Sequence, residues 1–311
     1  MNSKVMTLKE AIKSLVHDGD TIAFGGLMTR EPVAAVYEII RQNIQDLAII
    51  SDTRTETGEF LIGAGLVRKI ESAYIWVGVV GKGVNFKRAA EEGIPRRVEI
   101  EEYSNFSAGM RFLAGALGVP FMPVKSLLGS DLPKYNPQIK IIADPYNGEE
   151  VALVPAANPD VAIVHVQRAD KLGNAQIWGM ASNDANIVRS AKRKIVTCEE
   201  IIPTSEIRII PEMTLIPCYC VDAVVEVPYG AHPASTPGYY DMDVLFRREW
   251  LLQAEKGNGY FQGWLDEWVR GVADNEEYLR KVGHERLAML QKIEHDNYKI
   301  PKVDADLKGE R

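Results

Sequence analysis

Short apolar runs recur along this chain between amphipathic stretches, and their spacing predicts alternating strands and helices. Residues 7–16 (TLKEAIKSLV) repeat apolar positions at helical intervals behind a Thr cap, with Glu10 three positions on. The runs at 21–24 (TIAF), 47–50 (LAII), 72–80 (SAYIWVGVV), 151–154 and 161–167 (VAIVHVQ) are short and apolar without alternation. That is the pattern of strands covered on both faces. Shorter strands are expected at 98–100, 194–197 and 221–227, the last closing the sheet. Between them lie helical patterns at 33–40 (VAAVYEII), 86–92, 106–117 and 186–191, and a Gly-containing helix or turn at 61–70. Residues 120–145 hold five prolines and read as irregular, either an active-site loop or an excursion at a subunit interface. Asp170–Asn174 (DKLGN) reads as a hairpin turn. Beyond Asp241 the pattern is helical to about Tyr298, interrupted at 257–259 and at Gly283, and the tail after Pro301 is charged.

Strands alternating with helices predict an α/β fold, with an open, mostly parallel sheet and helices on both faces. The expected organisation is one α/β domain over 1–240 with a helical extension over 241–311 packed on it. Composition changes this picture little. Hydrophobic residues make up 46% and charged residues 25% of the 311, near globular averages. A net charge of −7 offers no basic patch for nucleic acid. No apolar run reaches the length of a membrane span, and the N-terminus lacks a signal-peptide core. The three cysteines, Cys198, Cys218 and Cys220, show no metal-ligand spacing, so a cytoplasmic location is expected and no metal is implied.

The chemistry gathers on residues 18–32, DGDTIAFGGLMTREP. A strand that breaks on Gly25–Gly26 and feeds a helix behind Pro32 lets backbone N–H groups approach a ligand closely. An ordinary β–α turn explains the same glycines. The stretch is neither the dinucleotide-binding G-x-G-x-x-G nor a P-loop.

It resembles the N-terminal motif of family I CoA-transferases, in which an Asp/Asn-Gly pair and an apolar run lead to Gly-Gly and then Pro. Arg30 stands where many members carry a further Gly. The resemblance extends through SKVMTLKEAI, AAVYEIIRQ, ALGVPFMPV, VAIVHVQ, IVTCEEII, VDAVVEVPYGAHP and EYLRKVG, to beyond residue 280, and is to the A-type (alpha) subunits. It implies an enzyme working with a B-type partner, in an A2B2 or larger assembly. A Glu of that partner attacks an acyl-CoA thioester, and CoA thiolate opens the resulting anhydride to an enzyme–CoA thioester. A second carboxylate then reverses these steps. CoA is a substrate here and no cofactor is implied; the acyl group is expected to be that of a dicarboxylic or unsaturated acid, with acetate or a similar acid as acceptor.

The resemblance also implies roles for residues of this chain. Asn105 matches the place where members carry a Gln whose amide helps form the oxyanion hole; a neutral amide donor suits a developing negative charge. Alternatively, Ser104 or Asn105 simply caps the following helix. Gly25, Gly26, Met28, Thr29 and Arg30 are expected to line the pocket with Ser104, and Gly129 and Ser130 to border it. Arg30 is read either as a partner for a substrate's distal carboxylate or as a surface ion pair. Glu56, in Thr-Glu-Thr-Gly, imitates the partner's Ser-Glu-Asn-Gly-like turn, and either it or Glu59 is a nucleophile or an ordinary loop carboxylate, the latter being favoured. His165 reads as a satisfied core residue and Cys198 as packing. His232 reads as a structural or substrate-facing loop residue, and Trp264 and Trp268 as a helix's packing stripe. Two further readings stay open: a ring-opening hydrolase or decarboxylase of acyl-CoA on the same scaffold, and a non-catalytic CoA-binding subunit.

Overall fold

The computed structural model describes residues 2–78 and 81–297. The end of the expected 72–80 strand and everything beyond Asn297 therefore lie outside the described residues. Seven parallel strands form the centre of the main sheet. In spatial order they are Ala223–Glu226, Arg193–Ile201, Val161–Ala169, Thr21–Phe24, Leu47–Ile50, Val67–Ser72 and Glu99–Glu102. Two short antiparallel strands, Ala175–Gln176 and Thr214–Ile216, extend it beyond Ala169, the first through the turn at 170–174. Successive residues of one strand feed opposite faces. Ile22 and Phe24 join a core with the helices Leu8–Leu15, Val33–Arg41 and Glu56–Gly63, while Ala23 joins one with the helices Asn105–Leu117 and Asp184–Ser190.

The C-terminal helices share the first of these cores. Phe60 packs its ring against Trp250 at 4.9 Å, Trp264 at 5.5 Å and Phe261 at 6.4 Å. Trp264 and Trp268 follow one another along that face, their centroids 6.5 Å apart.

Two expectations need correction. The third strand runs over Val67–Ser72, not 72–80. Its sequence, VRKIES, carries three charges, but Lys69 pairs with Glu71 and Glu101, and Arg111 pairs with Glu71. The apolar SAYIW that follows gives only a two-residue strand, Tyr74–Ile75, beside Thr53–Arg54, with Tyr74 and Trp76 exposed. Residues 120–145 are not irregular. They contribute Phe121–Val124 and Lys140–Ala143 to a separate antiparallel sheet, with Glu150–Pro155 between them. This sheet has its own small core around Tyr103, Ala108, Val124, Leu127 and Val154.

Candidate active site

Chain order reverses at the middle of the main sheet. From Thr21–Phe24 the chain continues to 47–50, 67–72 and 99–102 on one side, and only later returns to 161–169 on the other. In open α/β sheets such a switch point opens a crevice at the carboxyl ends of the strands, where ligands bind. Pairing is also interrupted here on one edge of the central strand. The strand 161–169 pairs with 193–201 along one edge for nearly its full length. On its other edge Thr21–Phe24 covers residues 161–163 and Ala175–Gln176 covers 168–169. The Gly25–Glu31 turn enters beside the stretch left between them.

That turn is held from several sides. Gly26 N donates to Asp184 Oδ1 at 2.7 Å, Gly25 O accepts from Arg54 Nη1 at 3.0 Å, and Arg30 N donates to Ser235 O at 2.7 Å. A Cβ on Gly25 would lie 2.6 Å from Val164 Cγ1 and 2.7 Å from Asp184 Oδ1, which is why glycine stands there. Gly26, Met28 and Arg30 all adopt positive φ, at 73°, 59° and 55°. For the two non-glycine residues this costs roughly 1–2 kcal/mol each, so the turn's shape is imposed by its hydrogen bonds. The Gly25–Gly26 approach thus meets the Asp184 carboxylate.

Arg30 is fully buried, which corrects both expectations for it. Its guanidinium pairs with Asp184 Oδ2 at 2.6 Å and donates to the carbonyls of His165 and Met180. It neither sits at the surface nor has its charge available for a substrate carboxylate.

The next strand, Leu47–Ile50, delivers a polar run, SDTRTETGEF over 51–60, that is buried throughout. Each charged group has a partner. Asp52 accepts from Thr53 N at 2.7 Å, Arg54 Nη2 at 3.0 Å and Asn183 Nδ2 at 2.8 Å. Burial pulls the Asp52 carboxyl upward, but the Arg54 charge and these hydrogen bonds outweigh it and hold the group below its ordinary range.

Glu56 does not lie in a loop: it opens the helix Glu56–Gly63, fully buried and paired through both oxygens with Arg247 of the helix Val244–Lys256. Glu31, also fully buried, accepts from Thr57 N and Oγ1. Thr55 Oγ1 stands 2.6 Å from Glu31 Oε1 and 2.6 Å from Glu56 Oε2. A hydroxyl has one proton to donate, so both contacts are hydrogen bonds only if one of the two carboxyls is itself protonated. Arg247 then balances the remaining negative charge. Burial raises the Glu56 pKa, Arg247 opposing the rise and Glu31 adding to it. Glu59 accepts the backbone N–H groups of Asn85 and Phe86 at 2.8 and 2.9 Å and so caps the helix Val84–Glu91. Burial pushes its pKa up to about 7.

One sequence-expected polar residue is left at the mouth. Ser104 is the N-cap of Asn105–Leu117, in a reciprocal capping box with Ser107. Asn105 is therefore the first helical residue, not the cap, and is exposed. Its Oδ1 accepts from Thr53 Oγ1 at 2.7 Å. The amide stands where the helix dipole favours negative charge.

The whole chain has close counterparts among known proteins. Residues 5–227 match the family model for coenzyme A transferase. The chain is 38% identical over 282 residues to the A-type subunit of 3-oxoadipate CoA-transferase from Pseudomonas knackmussii, spanning 90% of this chain and 98% of that one. It is 39% identical over 322 residues to the A-type subunit of glutaconate CoA-transferase from Acidaminococcus fermentans, spanning 98% and 99%. The chain belongs to the coenzyme A transferase family. Within it the resemblance is to A-type subunits. The crystal structure of the A. fermentans glutaconate enzyme matches with a TM-score of 0.89 and 40% identity, over 93% of this chain and 96% of that one. The decarboxylase AibA/AibB matches with a TM-score of 0.75 and 32% identity, over 86% of this chain and 100% of that one.

On this CoA-transferase scaffold the expected residues separate. Gly25, Gly26, Met28, Thr29, Ser104 and Asn105 belong to elements that meet at the carboxyl ends of the central strands. Gly129 and Ser130 lie at an exposed turn of the small sheet's subdomain, where Ser130 Oγ donates to Leu127 O at 2.8 Å. Their contacts are local.

His165 is satisfied, between Thr197 Oγ1 at 2.9 Å and Glu199 Oε1 at 2.7 Å. His232 is buried between Tyr278 OH at 2.6 Å and Asp243 Oδ2 at 3.1 Å, and so ties its loop to the C-terminal helices. Burial lowers its pKa. Cys198 is buried, and its thiol pKa is raised by that burial.

Sequence reasoning missed Asp52, Thr53, Arg54, Asn183 and Asp184, which fix the turn and the amide. A signal existed for the first three: a polar run leaving the carboxyl end of a buried strand. Arg247, an arginine on an exposed-looking helix, carried none. Among the described residues no helix is long and apolar enough to cross a membrane.

Proposed function

We propose that this chain is the A-type partner in a hetero-oligomeric CoA-transferase that moves CoA between the acyl-CoA of a dicarboxylic acid and a small carboxylate such as acetate. The B-type partner supplies the attacking Glu; this chain supplies the pocket wall at 25–31 and an oxyanion donor, the Asn105 amide. One observation carries the division of labour. The two carboxylates nearest in sequence to a nucleophile motif, Glu56 and Glu59, are fully buried and engaged by Arg247 and by backbone N–H groups. An attacking carboxylate must reach a thioester carbon at about 3–3.5 Å, and neither is placed to do so. The dicarboxylic acyl group is supported by the names of the two similar A-type subunits, one of a glutaconate and one of a 3-oxoadipate CoA-transferase.

The test is turnover by the complex of this chain with its B-type partner. It is supplied with acetyl-CoA and glutaconate, 3-oxoadipate or another dicarboxylate, and free CoA, acyl-CoA and CO2 are followed together. Acyl-CoA of the dicarboxylate appearing in step with acetate, without net loss of thioester, supports the transferase. Thioester loss without exchange would replace it with a hydrolase, and CO2 release with a decarboxylase such as the similar AibA/AibB. Turnover by this chain alone would contradict the assignment of the nucleophile to the partner.

A further inference from the structure

Thr53 makes two contacts that, with its hydroxyl as donor, turn the NH2 end of the Asn105 side chain outward. Its backbone N–H is fixed on Asp52 Oδ1 at 2.7 Å, and Asp52 is clamped in turn by Arg54 and Asn183. Arg54 also holds Gly25 O. Thr53 is buried, only 3% exposed, and its hydroxyl reaches Asn105 Oδ1 at 2.7 Å. No other acceptor for that hydroxyl proton occurs among the described hydrogen bonds. The contact therefore takes the amide oxygen and leaves the NH2 group as the outward end of an exposed side chain. Had the amide turned by about 180°, a carbonyl oxygen would face the crevice and repel a developing oxyanion.

We propose that Thr53 is a positioning residue: anchored by Asp52, it sets the rotamer and the amide orientation of Asn105 so that an N–H, not a C=O, is presented to the reacting thioester oxygen. This rests on the reading of Asn105 as the oxyanion donor. It also accounts for the shorter side chain. An Asn has one torsion fewer than a Gln, and a hydrogen bond to its oxygen from a buried hydroxyl fixes most of the remaining freedom. The same chain of bonds, Asn105–Thr53–Asp52–Arg54–Gly25, joins the amide to the strained turn, so both walls of the crevice share one anchor.

A double-mutant cycle in the assembled complex tests this, using whichever acetyl-CoA and dicarboxylate pair it turns over and checking each variant by thermal melting. Removing one oxyanion donor lowers kcat by about 10²-fold, so Asn105→Ala is expected to fall by that order. Thr53→Val, close in shape but without the hydroxyl, is expected to lower kcat roughly tenfold with KM little changed, and Thr53→Ser to restore it. The Thr53→Val/Asn105→Ala pair is expected to be no slower than Asn105→Ala alone, because Thr53 acts through the amide. Loss of kcat in Asn105→Ala with Thr53→Val at the wild-type rate, or two losses that multiply, would overturn the positioning role while leaving the oxyanion reading intact. An unimpaired Asn105→Ala, or a complex with no transfer at all, would overturn the oxyanion reading and the positioning role with it.

Discussion

Two regions of this molecule invert the usual relation between polarity and burial. Residues 51–59 are mostly polar or charged, and every one is buried. The antiparallel sheet over 121–155 is largely apolar, yet Phe121 and Ile142, which share its outer face, are 47% and 42% exposed, with Phe106 of the neighbouring helix at 57%. The difference lies in how each is stabilised. The polar run is buried because each of its charges meets a partner: Asp52 with Arg54, Glu56 with Arg247, Glu59 with two N–H groups. Such a network is stable as a whole and costly to leave half-made. The small sheet needs only its inner face, over Leu127 and Val154, and leaves its outer face bare. One region is determined by pairing and the other by area.

The comparison breaks most readily at Arg247. Arg247→Ala leaves Glu31 and Glu56 buried together without their cation, and is expected to cost about 3–5 kcal/mol in urea unfolding. A cost below about 1 kcal/mol would mean that the pairing does not stabilise the run. Glu59 gives the next effect. Its pKa rises from 4.5 to about 7 in the folded chain. The folded state thus holds this proton more tightly than the unfolded one. The stabilisation is complete below about pH 4.5 and is lost as pH rises through about 7, a change on the order of 3 kcal/mol. Glu59→Gln is expected to flatten that part of the stability–pH curve, measured by urea midpoints from about pH 4.5 to about pH 7.5; an unchanged slope would assign the titration elsewhere.

Gly25→Ala is smaller again. Its Cβ would press on Val164 and Asp184 at 2.6 and 2.7 Å, at an expected cost of about 1–3 kcal/mol. Smallest of all, Phe121→Ser on the bare face is expected to change the stability of the isolated chain by less than about 0.5 kcal/mol. A larger loss would show that this face is not bare in solution.

The same contrast explains what could be read from the sequence. The strands at 21–24, 47–50 and 161–167, the last of which runs on to Ala169, and the capped helix Leu8–Leu15 were legible because apolar continuity and the Thr7–Glu10 box act locally. The strand Val67–Ser72 was not, because Lys69 and Glu71 hide their strand only until Glu101 and Arg111 arrive from elsewhere in the chain. Around the crevice, the break of the strand Thr21–Phe24 on Gly25 and Gly26 and the Ser104 helix cap were legible from spacing. The burial of Arg30 was not, since its partner Asp184 is 154 residues away and no local pattern announces it. Likewise nothing near Glu56 in sequence points to Arg247, 191 residues on.

The central claim is that this chain shapes the site and its partner attacks. Its most direct test is to incubate the assembled complex with acyl-CoA, trap the enzyme-bound thioester with borohydride or hydroxylamine, and map the modified residue by mass spectrometry. The account predicts a modified Glu on the B-type partner, with Glu56 and Glu59 untouched. Modification at Glu56 of this chain would contradict it.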